Sequence, residues 1–129
     1  MKVAAVQLTS TGNITENQEL ALAKIREAAG NGARLIVLPE ATAQNFRSGR
    51  LDEQAQTLEG PFATAIQALA EELEVTVVAG MFCPADTVER DGKTINRVTN
   101  TALIAGPGVL GGYDKIHTYD AFDYRESDT

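Results

Sequence analysis

The run Arg34-Leu35-Ile36-Val37-Leu38-Pro39-Glu40 constrains this chain more than any other stretch. A short, continuous apolar segment rich in branched residues reads as a strand buried on both faces. Pro39 has no amide hydrogen to give a ladder, so pairing is expected to stop there and aim Glu40 out of the strand's C-terminal end. In open α/β sheets that end is where ligands and chemistry collect. The same residues also fit a strand running into a solvated loop, and the local sequence does not choose between the two.

The flanks make this strand part of a βαβ unit. Residues 3–8 read as a first buried strand, closed by Thr9-Ser10-Thr11-Gly12. Asn13 followed by Glu16 forms a capping-box start, with both side chains expected to satisfy orphan amides. Ile14, Gln18, Ala21, Leu22, Ile25, Ala28 and Ala29 then share one helical face up to Gly30-Asn31-Gly32. Strand, helix, strand implies two parallel strands. Residues 41–59 have weak periodicity and are expected to form a functional loop with a short helix near residues 52–56. Gly60-Pro61 opens a second helix, striped by Phe62, Ala65, Ile66, Leu69, Ala70 and Leu73, and residues 75–80 read as a third strand.

Beyond residue 80 the pattern turns antiparallel. Asp91-Gly92 signals a hairpin between residues 87–90 and 93–99, and residues 101–105 and 109–115 pair around Gly106-Pro107-Gly108. Residues 118–129 are polar and show no closing strand. The fold class is therefore α/β: a mixed, largely buried sheet with helices on one face. The strand runs do not alternate with polar residues, so the other face also needs cover. Nothing left in the chain supplies it, and the missing layer is expected from further polypeptide, a partner subunit or both.

A net charge of −7 argues against nucleic acid or an anionic membrane as the main partner. The single cysteine, Cys83, excludes an internal disulfide framework and suits a reducing cytoplasm. The N-terminus lacks the apolar core and cleavage site of a signal peptide, and no apolar run approaches the ~20 residues that span a bilayer.

Several motifs have competing readings. Gly106-Pro107-Gly108-Val109-Leu110-Gly111 matches G-x-G-x-x-G, but strand-like residues follow it instead of the helix a dinucleotide site needs. A hairpin turn is the better reading. Asp114, His117, Asp120 and Asp123 recur every three residues without a helical stripe or a second histidine, which favours a solvated acidic loop over a metal site. Cys83 has no neighbouring base or cation in sequence and reads as a structural thiol. Lys115 is a surface lysine by default. If it converged with Glu40 at the sheet end, the pair would combine a proton acceptor with an oxyanion-stabilising cation.

Three phrases carry a family resemblance: Val3-Ala4-Ala5-Val6-Gln7-Leu8, Leu38-Pro39-Glu40-Ala41 and Tyr113-Asp114-Lys115-Ile116-His117. In order and separation they resemble the nitrilase superfamily of carbon–nitrogen hydrolases, nearer its amidase branches than the true nitrilases, along all 129 residues. The resemblance implies an α-β-β-α sandwich, of which this chain would form half, and a Glu-Lys-Cys triad. It makes Glu40 the general base, Lys115 the stabiliser of the tetrahedral intermediate, and Glu126 the second active-site glutamate. Phe46 and Arg47 are the expected substrate-binding residues of the 41–50 loop. The resemblance implies a small linear carboxamide as substrate, no metal or organic cofactor, and a homo-oligomer or association with a missing C-terminal half. The family's nucleophilic cysteine lies downstream of its second glutamate, and Cys83 matches no nucleophile motif. Residues 1–129 are thus expected to be the N-terminal part of one hydrolase domain, inactive alone. A non-catalytic interaction module on the same scaffold is the alternative.

Overall fold

The structure, a computed structural model, describes residues 1–118, 120–121 and 124–126. Apolar runs and helical stripes alternate along the chain as β1 (Val3–Ala5), α1 (Ile14–Gly30), β2 (Leu35–Val37), α2 (Pro61–Leu73) and β3 (Thr76–Arg90). There follow β4 (Lys93–Gly106), β5 (Val109–Asp114), β6 (Asp120–Ala121) and β7 (Tyr124–Arg125). The first five strands form one mixed sheet in chain order, with β1, β2 and β3 parallel and β4 and β5 antiparallel. Two crossovers of the same hand, advancing the same way across the sheet, put both helices on one face. There α1 packs on α2. Ile25, Phe62 and Ile66 meet Ile36, Val77 and Leu103 in the core between the layers.

Strand alternation divides the sheet's side chains between two unlike environments. Ile36 is sealed under the helices, while its neighbour Val37 is 37% exposed and Val3 is 52% exposed. The expectation of a strand buried on both faces is corrected here: the helices cover one face, and the other lies open along Val3, Val37, Val109 and Tyr113. Its apolar side chains nonetheless suit a second layer.

Other expectations are adjusted by local chemistry. Asn13 Oδ1 accepts the Glu16 amide at 3.0 Å, as a cap should. Glu16 does not complete a reciprocal box; its carboxylate takes the Thr11 hydroxyl at 3.1 Å, whose oxygen accepts the Asn13 amide at 3.1 Å. The separate strands expected at 75–80 and 87–90 are one strand, β3, and those at 93–99 and 101–105 are one strand, β4. Their ladder tolerates Pro84 through a register shift between Pro84 and Thr87. Asp91 and Gly92, at φ 51° and 75°, close the hairpin in the left-handed conformation that two-residue turns favour. Gly106 ends β4 and Val109 begins β5, so the glycine-rich motif is a hairpin turn.

No helix forms at residues 52–56, where only residues 52–54 make a turn. Tertiary contacts replace helical ones: Gln54 Oε1 accepts the Ile14 amide at 3.0 Å, and its Nε2 donates to the Gly12 carbonyl at 2.7 Å. Near the end of the chain, where no strand was expected, β6 and β7 pair antiparallel. Asp123 lies outside the described residues. No helix among the described residues is long and apolar enough to cross a membrane.

Asn17 is a buried polar side chain on the core face of α1. It accepts the Thr11 amide at 2.7 Å and donates to the carbonyls of Thr11 and Ala43, both at 2.9 Å. It therefore joins the β1–α1 loop to the segment following Glu40. Replacing Asn17 with Leu keeps the volume but strips partners from buried backbone groups, each worth about 1–3 kcal/mol. We expect Asn17→Leu to lose about 2–4 kcal/mol in urea unfolding; an unchanged midpoint contradicts the assignment.

Candidate active site

Pairing of β2 with β3 does not stop at Pro39, as its missing N–H led us to expect. The Leu38 amide donates to the Val78 carbonyl at 2.8 Å, and the Pro39 carbonyl accepts the Gly80 amide at 3.1 Å. Gly80 then accepts the Ala43 amide at 3.0 Å. Residues 40–42 are thus arched out opposite a single glycine. The arch needs two concessions from the backbone: Ala41 sits at φ 59°, and a Cβ on Gly80 would lie 2.5 Å from Ala41 N and 2.7 Å from Glu40 Cα. Thr42 Oγ1 donates to the Pro39 carbonyl at 2.6 Å and closes the turn.

Lys115 arrives from the other side. Its amide extends the β4–β5 ladder by donating to the Asn100 carbonyl at 2.8 Å, and alternation puts its side chain on the same face as Tyr113, the open one. Glu126 follows β7 and brings a carboxylate that is only 5% exposed. Lys115 Nζ lies 3.2 Å from Glu40 Oε1, and 2.9 and 3.0 Å from the two oxygens of Glu126. The structure therefore brings together three residues widely separated in sequence. Glu40 and Lys115 border a cleft of about 370 Å³ lined also by Val78, Gly80, Asn100 and Tyr113, while Glu126 lies on the far side of the ammonium in a neighbouring hollow.

The charges fix what each group can do. Hydrogen bonding to Glu126 holds the Lys115 ammonium above the usual lysine range; partial burial opposes this, and the bond to Glu40 adds to it. Lys115 is therefore a cation at neutral pH and cannot act there as a base. Glu40 is 53% exposed, open to a reactant, whereas Glu126 is enclosed against the ammonium.

Asn100 is the residue that sequence reasoning missed. Its Nδ2 donates to Glu40 Oε1 at 2.6 Å and to Glu126 Oε1 at 3.2 Å. A signal for it existed, because the hairpin register set by Pro107 and Gly108 puts Asn100 opposite Lys115.

Other candidates lie elsewhere. Phe46 stacks edge-on against Phe82, centroids 5.2 Å apart, in a small apolar cluster with Ala41 and Leu51. Arg47 is exposed, its backbone amide bonded to Asn45 Oδ1 at 2.9 Å. Neither is among the residues lining the cleft. Cys83 packs against the helix-side core and pairs with Thr99, on the opposite face of the sheet from Asn100. Burial pushes its thiol pKa up, against hydrogen bonds with Thr101 and Thr99 that lower it. Among the described residues no group of three His, Cys, Asp or Glu side chains is arranged to hold a metal ion.

Two outcomes test this construction. Gly80→Ala forces the 39–41 backbone aside and should cost about 1–3 kcal/mol, with Glu40 displaced from Lys115 in a crystal structure of the variant. Lys115→Met leaves the Glu126 carboxylate buried without its cation. The expected loss is about 1–2 kcal/mol, reduced from the fully buried case because Lys115 is one-third open to water. Since the folded pKa of Lys115 is raised, its stabilisation is complete below the ordinary lysine value of 10.5 and fades as pH climbs through the higher folded one. The stability gap between wild type and Lys115→Met should therefore stay flat to about pH 10 and narrow above it. A gap that widens there contradicts the pairing.

The sequence profile of the carbon-nitrogen hydrolase family matches residues 2–129. A hydrolase of Mycobacterium tuberculosis is 41% identical over 134 aligned positions, covering 100% of this chain and 44% of that protein. A deaminated glutathione amidase of Synechocystis is 36% identical over 118 positions, covering 91% of this chain and 42% of that protein. A crystal structure of a carbon–nitrogen hydrolase superfamily protein from Xanthomonas campestris superposes with a TM-score of 0.67 at 25% identity, over 86% of this chain and 38% of that one. The chain thus spans less than half the length of these relatives. A profile matched almost end to end, on a sheet that superposes on a solved member, assigns this chain to the carbon-nitrogen hydrolase family.

Proposed function

We propose that this chain supplies the base and the cation of an amide-hydrolysing site whose nucleophilic thiol comes from polypeptide outside residues 1–129. One observation carries the reading: Lys115 Nζ bridges Glu40 and Glu126 at a cleft on the open sheet face. The family membership established above, and a relative named as an amidase, support a small linear carboxamide as substrate. In this scheme Glu40 takes the proton of the attacking thiol as sulfur bonds to the amide carbon. The carbonyl oxygen becomes an oxyanion beside the Lys115 ammonium. On collapse the C–N bond breaks, the nitrogen leaves with the proton held by Glu40, and a thioester remains. Water, deprotonated by Glu40, then cleaves the thioester to the acid and regenerates the thiol. Glu126 holds Lys115 in place and lowers the cost of keeping it charged.

The open apolar face receives the second sheet of an α-β-β-α sandwich in this proposal, from a C-terminal half or a partner. The test is ammonia release from a panel of small carboxamides by the complete polypeptide. Glu40→Gln and Lys115→Met should each lower kcat/KM by about 10²–10⁴-fold. Residues 1–129 alone should release none. Turnover by this chain alone, abolished by Cys83→Ala, overturns the proposal.

A further inference from the structure

Two carboxylates meet the single ammonium of Lys115, an imbalance of charge that the proposed chemistry does not use. Glu40 and Glu126 both present an Oε1 to the same small region, where Lys115 supplies a single positive charge. Asn100 stands between them. Its Nδ2 reaches Glu40 Oε1 at 2.6 Å and Glu126 Oε1 at 3.2 Å. Ionised carboxylates only accept, so the amide must turn its nitrogen toward them; the flipped amide would set three oxygens face to face. Its strand holds it from both sides: Asn100 pairs with Phe82 on β3, and its carbonyl accepts the Lys115 amide at 2.8 Å.

The consequence lies in which oxygen of Glu40 is left over. Oε1 accepts from Asn100 and from Lys115, whereas Oε2 takes no hydrogen bond among the described residues. We infer that Asn100 is a positioning residue: it clamps Glu40 through Oε1 and so reserves Oε2 as the atom that takes the nucleophile's proton. This rests on the amide-hydrolase reading for the identity of the proton donor, a cysteine thiol, but the clamp itself is a matter of this chain's own side chains. A neutral amide suits the task. A second cation would hold the carboxylate as well but would also drain its basicity, and an aspartate would add a third negative charge to the cluster.

Asn100→Leu removes the donor at nearly constant volume. In the complete polypeptide we expect kcat to fall about 10–100-fold while KM stays within about twofold, because a positioning residue acts through Glu40. Asn100→Asp should be more damaging than Asn100→Leu despite its closer shape. Normal kcat in Asn100→Leu, or a loss that falls on KM instead, overturns the inference. So does an Asn100→Asp variant that outperforms it. If the complete polypeptide hydrolyses no amide, the amidase reading fails, and the clamp is judged on stability. Melting-temperature shifts of Asn100→Leu and Glu40→Gln should then be non-additive in the double variant, and additivity overturns the clamp.

Discussion

One ammonium shared by two carboxylates is the interaction on which the rest of the cleft depends. Glu126 is enclosed, and a buried carboxylate is stable as an anion only where a cation and donors replace its water. Lys115 meets both of its oxygens and still reaches Glu40. The closing strands β6 and β7, a sheet hairpin and the arch after β2 are thereby tied together at one nitrogen atom. The geometry is asymmetric in a useful way. The enclosed carboxylate fixes the cation, and the cation together with Asn100 fixes the open carboxylate, so order passes from the buried group to the exposed one.

That order needs a sheet whose two faces differ. The helices seal one face, and alternate residues Val77, Ala79 and Met81 of β3 and Leu103 and Ala105 of β4 go to building that core. The remaining side chains project into the open, where a cleft forms between the arch over Gly80 and the end of β5. Here the bare surface of a glycine matters more than any side chain. Without a Cβ at residue 80, the backbone of Glu40 and Ala41 lies down on the strand, and the carboxylate comes within reach of Lys115. A functional group is placed by an absence two strands away from its ionic partner.

Much of this was legible in the residues. The apolar runs, the Asn13 cap, Pro61 at the start of α2 and the Asp91-Gly92 and Pro107-Gly108 turns report local backbone preferences, and each forms where its chemistry points. Glu40 and Lys115 were visible as charged residues at strand ends. What the residues did not show has a common physical reason. The 41–60 segment is held by distant partners such as Gln54 on Gly12, not by its own periodicity. The β6–β7 pair is too short to carry a pattern. The uninterrupted length of β3 was hidden by Pro84, which reads as a breaker but is absorbed by the register shift after it. Asn100 looked like one more polar residue in a hairpin, because its role exists only once three other chains of contact converge on it.

The position of Cys83 shows how firmly the sheet separates structure from chemistry. Its partner Thr99 and its neighbour Met81 are on the helix side of the sheet, while the adjacent Phe82 and Asn100 are on the other, Asn100 lining the cleft and Phe82 packed with Ala41 and Leu51. A strand has period two, so a one-residue slip of β3 would be enough to swing the thiol to the face that holds Glu40 and Lys115. The same slip would turn Val77, Ala79 and Met81 out of the core and replace Gly80 under the arch with a residue bearing a Cβ. The core that stabilises the sheet and the glycine that seats Glu40 therefore both oppose the slip that would bring this thiol to Glu40 and Lys115.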